Sequence, residues 1–103
     1  MDIHFVMENS IDMNGFVETK RYAFFTGEHG KKTAIEYAER KNKDSGEISK
    51  KYLSLMEKWI MENPMPFDIE ECKGWINALK EESFSIRSNL NIQEEYLYYY
   101  SVK

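Results

Sequence analysis

From Ile3 to Phe25 apolar residues alternate with polar ones on either side of Asn14-Gly15, a dipeptide that accepts positive φ at both central positions of a two-residue hairpin turn. Folding the chain there pairs residues whose numbers sum to 29. Met13 then faces Phe16, Met7 faces Tyr22, Phe5 faces Phe24 and Ile11 faces Glu18. Ile3, Phe5, Met7, Ile11, Met13, Phe16, Tyr22 and Phe24 share one face. The other face pairs Glu8 with Arg21 and Ser10 with Thr19, and a one-residue slip would scatter both sets. The weak point is Asn9 opposite Lys20, a polar interruption of the apolar face.

After the turn-forming run Thr26 to Gly30 the period changes. Lys31 to Asn42 predicts a short helix with Ala34, Ile35 and Ala38 on one side. Asp44 and Glu47 offer a capping box for a second helix, whose stripe is Ile48, Tyr52, Leu55, Met56, Trp59 and Ile60. Asn63-Pro64-Met65-Pro66 ends it, because a residue before proline is pushed out of the helical region. Asp68 caps a third helix with Glu71 as its box partner, Phe67 as a staple on Cys72, and Ile69, Cys72, Ile76 and Leu79 as its stripe. Phe84 to Arg87 and Tyr96 to Val102 read as strands joined through Ser88 to Asn91. The expected class is α+β, in the order β-β-α-α-α-β-β. It comprises a four-stranded, mainly antiparallel sheet with two to three helices on one face, in a single domain spanning 1–103.

Such a hairpin is longer than a usual strand pair. Only its base is expected to pair with the short C-terminal strands, so that Ser10 to Thr19 extends past the sheet and carries Ile11, Met13, Phe16 and Val17 outward.

The net charge is −4, and 15% of the 103 residues are aromatic. A mildly acidic chain argues against direct nucleic-acid binding, and −4 is far short of a polyanionic mimic. Residues 31–51 carry more bases than acids and residues 52–95 more acids than bases, which would orient the molecule as it meets a charged partner. A single cysteine makes no intramolecular disulfide. Met1 to His4 show no basic segment leading into an apolar stretch, and no apolar run reaches the length of a membrane span. A cytoplasmic protein without membrane contact is expected.

Candidate chemistry is thin. Gly27-Glu28-His29-Gly30-Lys31-Lys32-Thr33 lies where a phosphate loop would, but the glycine spacing is too short and Lys32 takes the place of the hydroxyl residue. A glycine-rich turn with solvated lysines is the stronger reading. Cys72 falls on an apolar stripe with no histidine at a predictable distance, so it reads as a structural thiol, and His4, His29 and Cys72 lack metal-ligand spacing. Glu81 and Glu82, near the expected end of the third helix, oppose its dipole and suggest an acidic surface kept for a partner, although a solvated face explains them more simply. Strand alternation places Tyr96, Tyr98 and Tyr100 on one side and Tyr99 on the other. One set faces the helices, and the other, joined by Val6, Val17, Ala23 and Phe25, forms an aromatic strip on the open sheet face suited to cross-strand packing or a protein contact.

No catalytic, metal or cofactor motif is carried by these residues. In format alone, as a small acidic α+β domain, the chain resembles phage-encoded proteins that bind and inhibit a host machine, anti-CRISPR proteins among them. That resemblance implies a non-enzymatic inhibitor or adaptor that occludes a partner surface, and it transfers no residue. Ile11, Met13, Phe16, Val17, Tyr96, Tyr98, Tyr100, Glu81 and Glu82 are the candidate contacts, with a second copy of the chain among the candidate partners. The alternative is a small-ligand or nucleotide binder, as an oligomer, that uses the Gly27 to Thr33 turn and the tyrosine strip.

Overall fold

A computed structural model describes residues 2–103. The element order is β1 (Ile3–Ile11), β2 (Val17–Thr26), α1 (Gly30–Lys41), α2 (Ser45–Glu62), α3 (Ile69–Asn89) and β3 (Leu97–Val102). The strands form one antiparallel sheet in the order β2-β1-β3. The α+β class and the N-terminal hairpin therefore stand, with three strands in place of the expected four.

The missing strand is Phe84 to Arg87, which is helical. Its alternation is real, yet Leu79, Ser83 and Ile86 continue a helical stripe and are buried. No glycine or proline lies between Trp75 and the last residue to stop the helix. The helix ends instead at Asn91, held at φ 57, where Ile92 N–H donates to the Arg87 carbonyl and Asn91 N–H to that of Ser88. Glu81 and Glu82 consequently sit mid-helix, away from its C-terminus.

The hairpin register is half as expected. Pairs from Ile3–Thr26 to Val6–Ala23 sum to 29, but those from Met7–Arg21 to Ile11–Val17 sum to 28. The turn sets this difference. Asp12 Oδ1 accepts from Asn14 and Phe16 N–H, Gly15 N–H donates to the Asp12 carbonyl, and Gly15 adopts φ 86, so the connection is three residues rather than two. A bulge at Tyr22 then restores the original register and turns that side chain toward α1, where it meets Tyr37 and Tyr100.

β3 pairs with Val6 to Ile11, the distal half of β1. The expectation that only the base would be paired is thus reversed, and the base at Ile3 to Phe5 is the end that runs beyond β3.

Helices cover both faces of the sheet rather than one. Val6 and Ile11 are five residues apart on a strand that alternates, so they point to opposite faces. Val6 packs with Ala34 and Ala38 of α1, while Ile11 and Leu97 pack with Tyr52, Met56, Leu79 and Ile86 of α2 and α3. The small alanines let α1 lie close, as the sequence implies. On α2 the buried stripe is Ser49, Tyr52 and Met56, with Ile48, Leu55 and Ile60 exposed. Asp44 makes no side-chain cap bond, whereas Asp68 accepts from Glu70 and Glu71 N–H as expected. Phe67 is fully exposed and staples nothing, and Ile69 is exposed as well.

The coverage is diagonal. α1 lies over the base of one face, and α2 and α3 lie over the turn end of the other. The base of the second face keeps Ile3 and Phe24 exposed, and the turn end of the first keeps Tyr96 and Tyr98 exposed.

A clamped turn as the candidate interaction site

The β1–β2 turn is bound to the helices through its backbone. Ser83 Oγ donates to the Met13 carbonyl at 2.6 Å, and Tyr52 and Ser83 share a hydrogen bond between their hydroxyls. Arg87, almost fully buried, donates from Nη2 to the carbonyls of Ile11 and Asp12 and from Nη1 to that of Glu94. Its guanidinium lies over the Tyr52 ring, 5.0 Å from the centroid. Gly15 passes so close to α2 that a Cβ there would come within 2.8 Å of the Met56 methyl.

The turn's apolar side chains point away from these anchors. Met13 is 48% and Phe16 52% exposed. Beside them is a cleft of about 440 Å³ lined by Met13, Phe84, Arg87, Ile92, Gln93 and Glu94 among others, and Phe84 is itself exposed. Val17 is exposed on β2. Ile11, expected with this group, is fully buried in the main core and cannot meet a partner.

The tyrosines divide. Tyr100 lies partly under α1, and its hydroxyl donates to Glu8 at 2.9 Å. Burial, then this hydrogen bond and the Glu8 charge, raise the Tyr100 pKa above its ordinary value. Burial and then the Glu57 charge raise that of Tyr99. Val6, Ala23 and Phe25 share a face with Tyr100, as the strip predicted, but α1 covers them, and Val17, paired with Ile11, lies on the opposite face. Tyr96 and Tyr98 remain accessible beside Ser10, Glu18 and Lys20, in a depression of about 280 Å³.

The Gly27 to Thr33 turn sits at the base, some six residues along β1 from Tyr98, a separation of about 20 Å. The fold does not bring the two halves of the expected pocket together. The turn's Gly30 and Thr33 N–H groups already donate to Gly27 and His29 carbonyls. Lys31 and Lys32 border a shallow depression with Glu28 and Glu36. Cys72 is half-buried, and its thiol donates to the Pro66 carbonyl. Among the described residues, no group of three or more His, Cys, Asp and Glu side chains is gathered to hold a metal, and no helix is long and apolar enough to cross a membrane.

One feature was missed by the sequence reading. α2 and α3 project past the sheet as a helical hairpin whose end holds Met61, Met65, Phe67 and Ile69 in solvent, Phe67 at 106% exposure. The Trp59 and Trp75 rings pack 5.5 Å apart, and Trp75 Nε1 donates to the Asn63 carbonyl, so this end is structured. Met61, Met65 and Phe67, apolar residues around Pro64 and Pro66 that belong to neither helix stripe, were the available signal.

The exposed surface of the chain is 7482 Å², against about 6100 Å² for a compact monomer of this mass. The surplus, about 1400 Å², goes with the elongated shape of the molecule, whose extents are 52 × 31 × 20 Å. In comparisons with known families, curated proteins and solved structures, the chain matches none.

Proposed function

We propose that the chain is a non-enzymatic protein-binding module, an inhibitor or adaptor that occludes a partner's surface, in the manner of small phage-encoded antagonists such as anti-CRISPR proteins. The observation that carries this reading is the clamped turn. Exposed apolar side chains on a mobile loop would lose conformational entropy on docking, whereas Met13 and Phe16 stand on a backbone already fixed by Ser83 and Arg87. Met13 adds an adaptable thioether at the contact, and the neighbouring cleft offers a place for one inserted side chain from a partner. Tyr98 and Tyr96 lie on the open face at the same end of the sheet and extend the contact.

Affinity capture from the native host tests this. The wild-type chain is expected to retain a partner that folded Met13→Asp and Phe84→Asp variants lose. Undiminished capture by both variants, with circular dichroism like the wild type, would remove the turn from the interface.

A further inference from the structure

The two edges of the sheet differ. The outer edge of β3 is closed by side chains: Asn42 accepts from Tyr100 N–H and donates to the Tyr100 carbonyl, and Ser49 donates to the Tyr98 carbonyl. The outer edge of β2 has no strand against it among the described residues. Asp12 N–H donates to the Phe16 carbonyl, so the backbones of Phe16, Glu18 and Lys20 face β1. Those of Val17, Thr19 and Arg21 therefore face outward with free donors and acceptors.

We propose that the chain forms a two-fold dimer by antiparallel pairing of β2 with β2 of a second copy, centred on Thr19. Charge selects this register. Centring on Thr19 sets Glu18 opposite Lys20 of the second copy, Lys20 opposite its Glu18, and Thr19 opposite Thr19. Sliding by one hydrogen-bonding step one way sets Glu18 against Glu18, and the other way Lys20 against Lys20. A slide of two steps one way centres the pairing on Arg21 against Arg21 and runs it into the Tyr22 bulge. A slide of two steps the other way pairs only the end of the strand. The paired stretch Val17 to Arg21 lies wholly above the bulge, and every residue in it is exposed. Lys20 already bonds Glu8 at 3.2 Å, so Glu18 of the second copy completes a chain of alternating charge. The result is a six-stranded sheet. This inference stands apart from the partner-binding reading, because Met13 and Phe84 lie outside the paired segment.

Sedimentation across the micromolar range should give the wild-type chain twice its 12.3 kDa mass. Glu18→Lys, which sets lysine against Lys20, should return it to one chain mass with an unchanged circular dichroism spectrum. A disulfide trap reads the register even if that variant fails to fold. In a Cys72→Ala background, Thr19→Cys places two thiols across the axis with Cα atoms about 5.5 Å apart. Glu18→Cys places them about 8 Å apart, beyond disulfide reach. Near-complete cross-linking of Thr19→Cys alone supports the dimer. A wild-type chain at single mass throughout, or Glu18→Cys cross-linking as completely as Thr19→Cys, overturns it.

Discussion

Arg87 is 4% exposed; among the described residues no carboxylate is paired with it and its Nε has no partner, and three backbone carbonyls and the Tyr52 ring hold its charge. A lysine cannot reproduce that fork, since the acceptors come from the C-terminal end of β1 and from the loop that leads into β3, and require separated, planar donors. Arg87→Met should therefore strand buried carbonyls at Ile11 and Asp12 and cost about 3 kcal/mol in urea denaturation. Arg87→Lys should recover little of it. Tyr100 makes a different kind of statement. Its folded pKa is raised, first by burial and then by Glu8, so the neutral hydroxyl stabilises the fold fully below the unfolded value of about 10. That contribution is lost as pH rises above it. Denaturation midpoints compared at neutral and strongly alkaline pH should fall with pH for the wild type, and fall less for Tyr100→Phe.

Between α1 and α2, Asn42 acts as a surrogate strand for the β3 edge, and Gly46 is small because Asn42 lies against it. A Cβ on Gly46 would meet Asn42 Cβ at 2.6 Å, whereas one on Gly74 in α3 would meet nothing. Glycine to alanine in an exposed helix ordinarily gains about 1 kcal/mol. Gly74→Ala should show that gain in thermal unfolding, while Gly46→Ala should lower stability by displacing the Asn42 clamp. The same two elements show what local pattern can and cannot convey. The hairpin, α1, α2 and the Asp68 cap were legible because alternation, helical period and capping act within a few residues. The Phe84 to Arg87 segment was misread because alternation over four residues fits a strand, and the helical continuation appears only when Leu79 is included. The Asp12 turn was misplaced because Asn14-Gly15 serves both two-residue and three-residue connections, and only the Asp12 side chain decides between them. The exposed positions Met13, Phe16 and Val17 were readable from a hairpin too long to be paired throughout, and Tyr96 and Tyr98 from strand alternation that sets them on one side. Ile11, by contrast, was claimed by a core that α2 and α3 complete from more than forty residues away in sequence.

Across the whole molecule, the radius of gyration is 16.4 Å, against about 13 Å for a compact chain of this length. The elongation has an identifiable source. Ser83 of α3 lies at the β1–β2 turn, so the residues of α3 before it, and the end of α2, run on past the sheet. That projection has no strand beneath it. Its stability comes from Trp59 against Trp75, the indole bond to Asn63 and the Cys72 thiol bond to Pro66. The sheet is stabilised separately, by the Val6 cluster under α1 and the Ile11 cluster under α2 and α3. Two regions held by different contacts open independently when neither contributes much to the other. Trp75→Ala should consequently accelerate amide hydrogen exchange through residues 60–78, while the amides of β1 and β3 keep their protection. Exchange that quickens equally in β1 would mean that the projection and the sheet unfold as one unit, and that Leu79 and Met56 transmit the loss of the tryptophan pair into the main core.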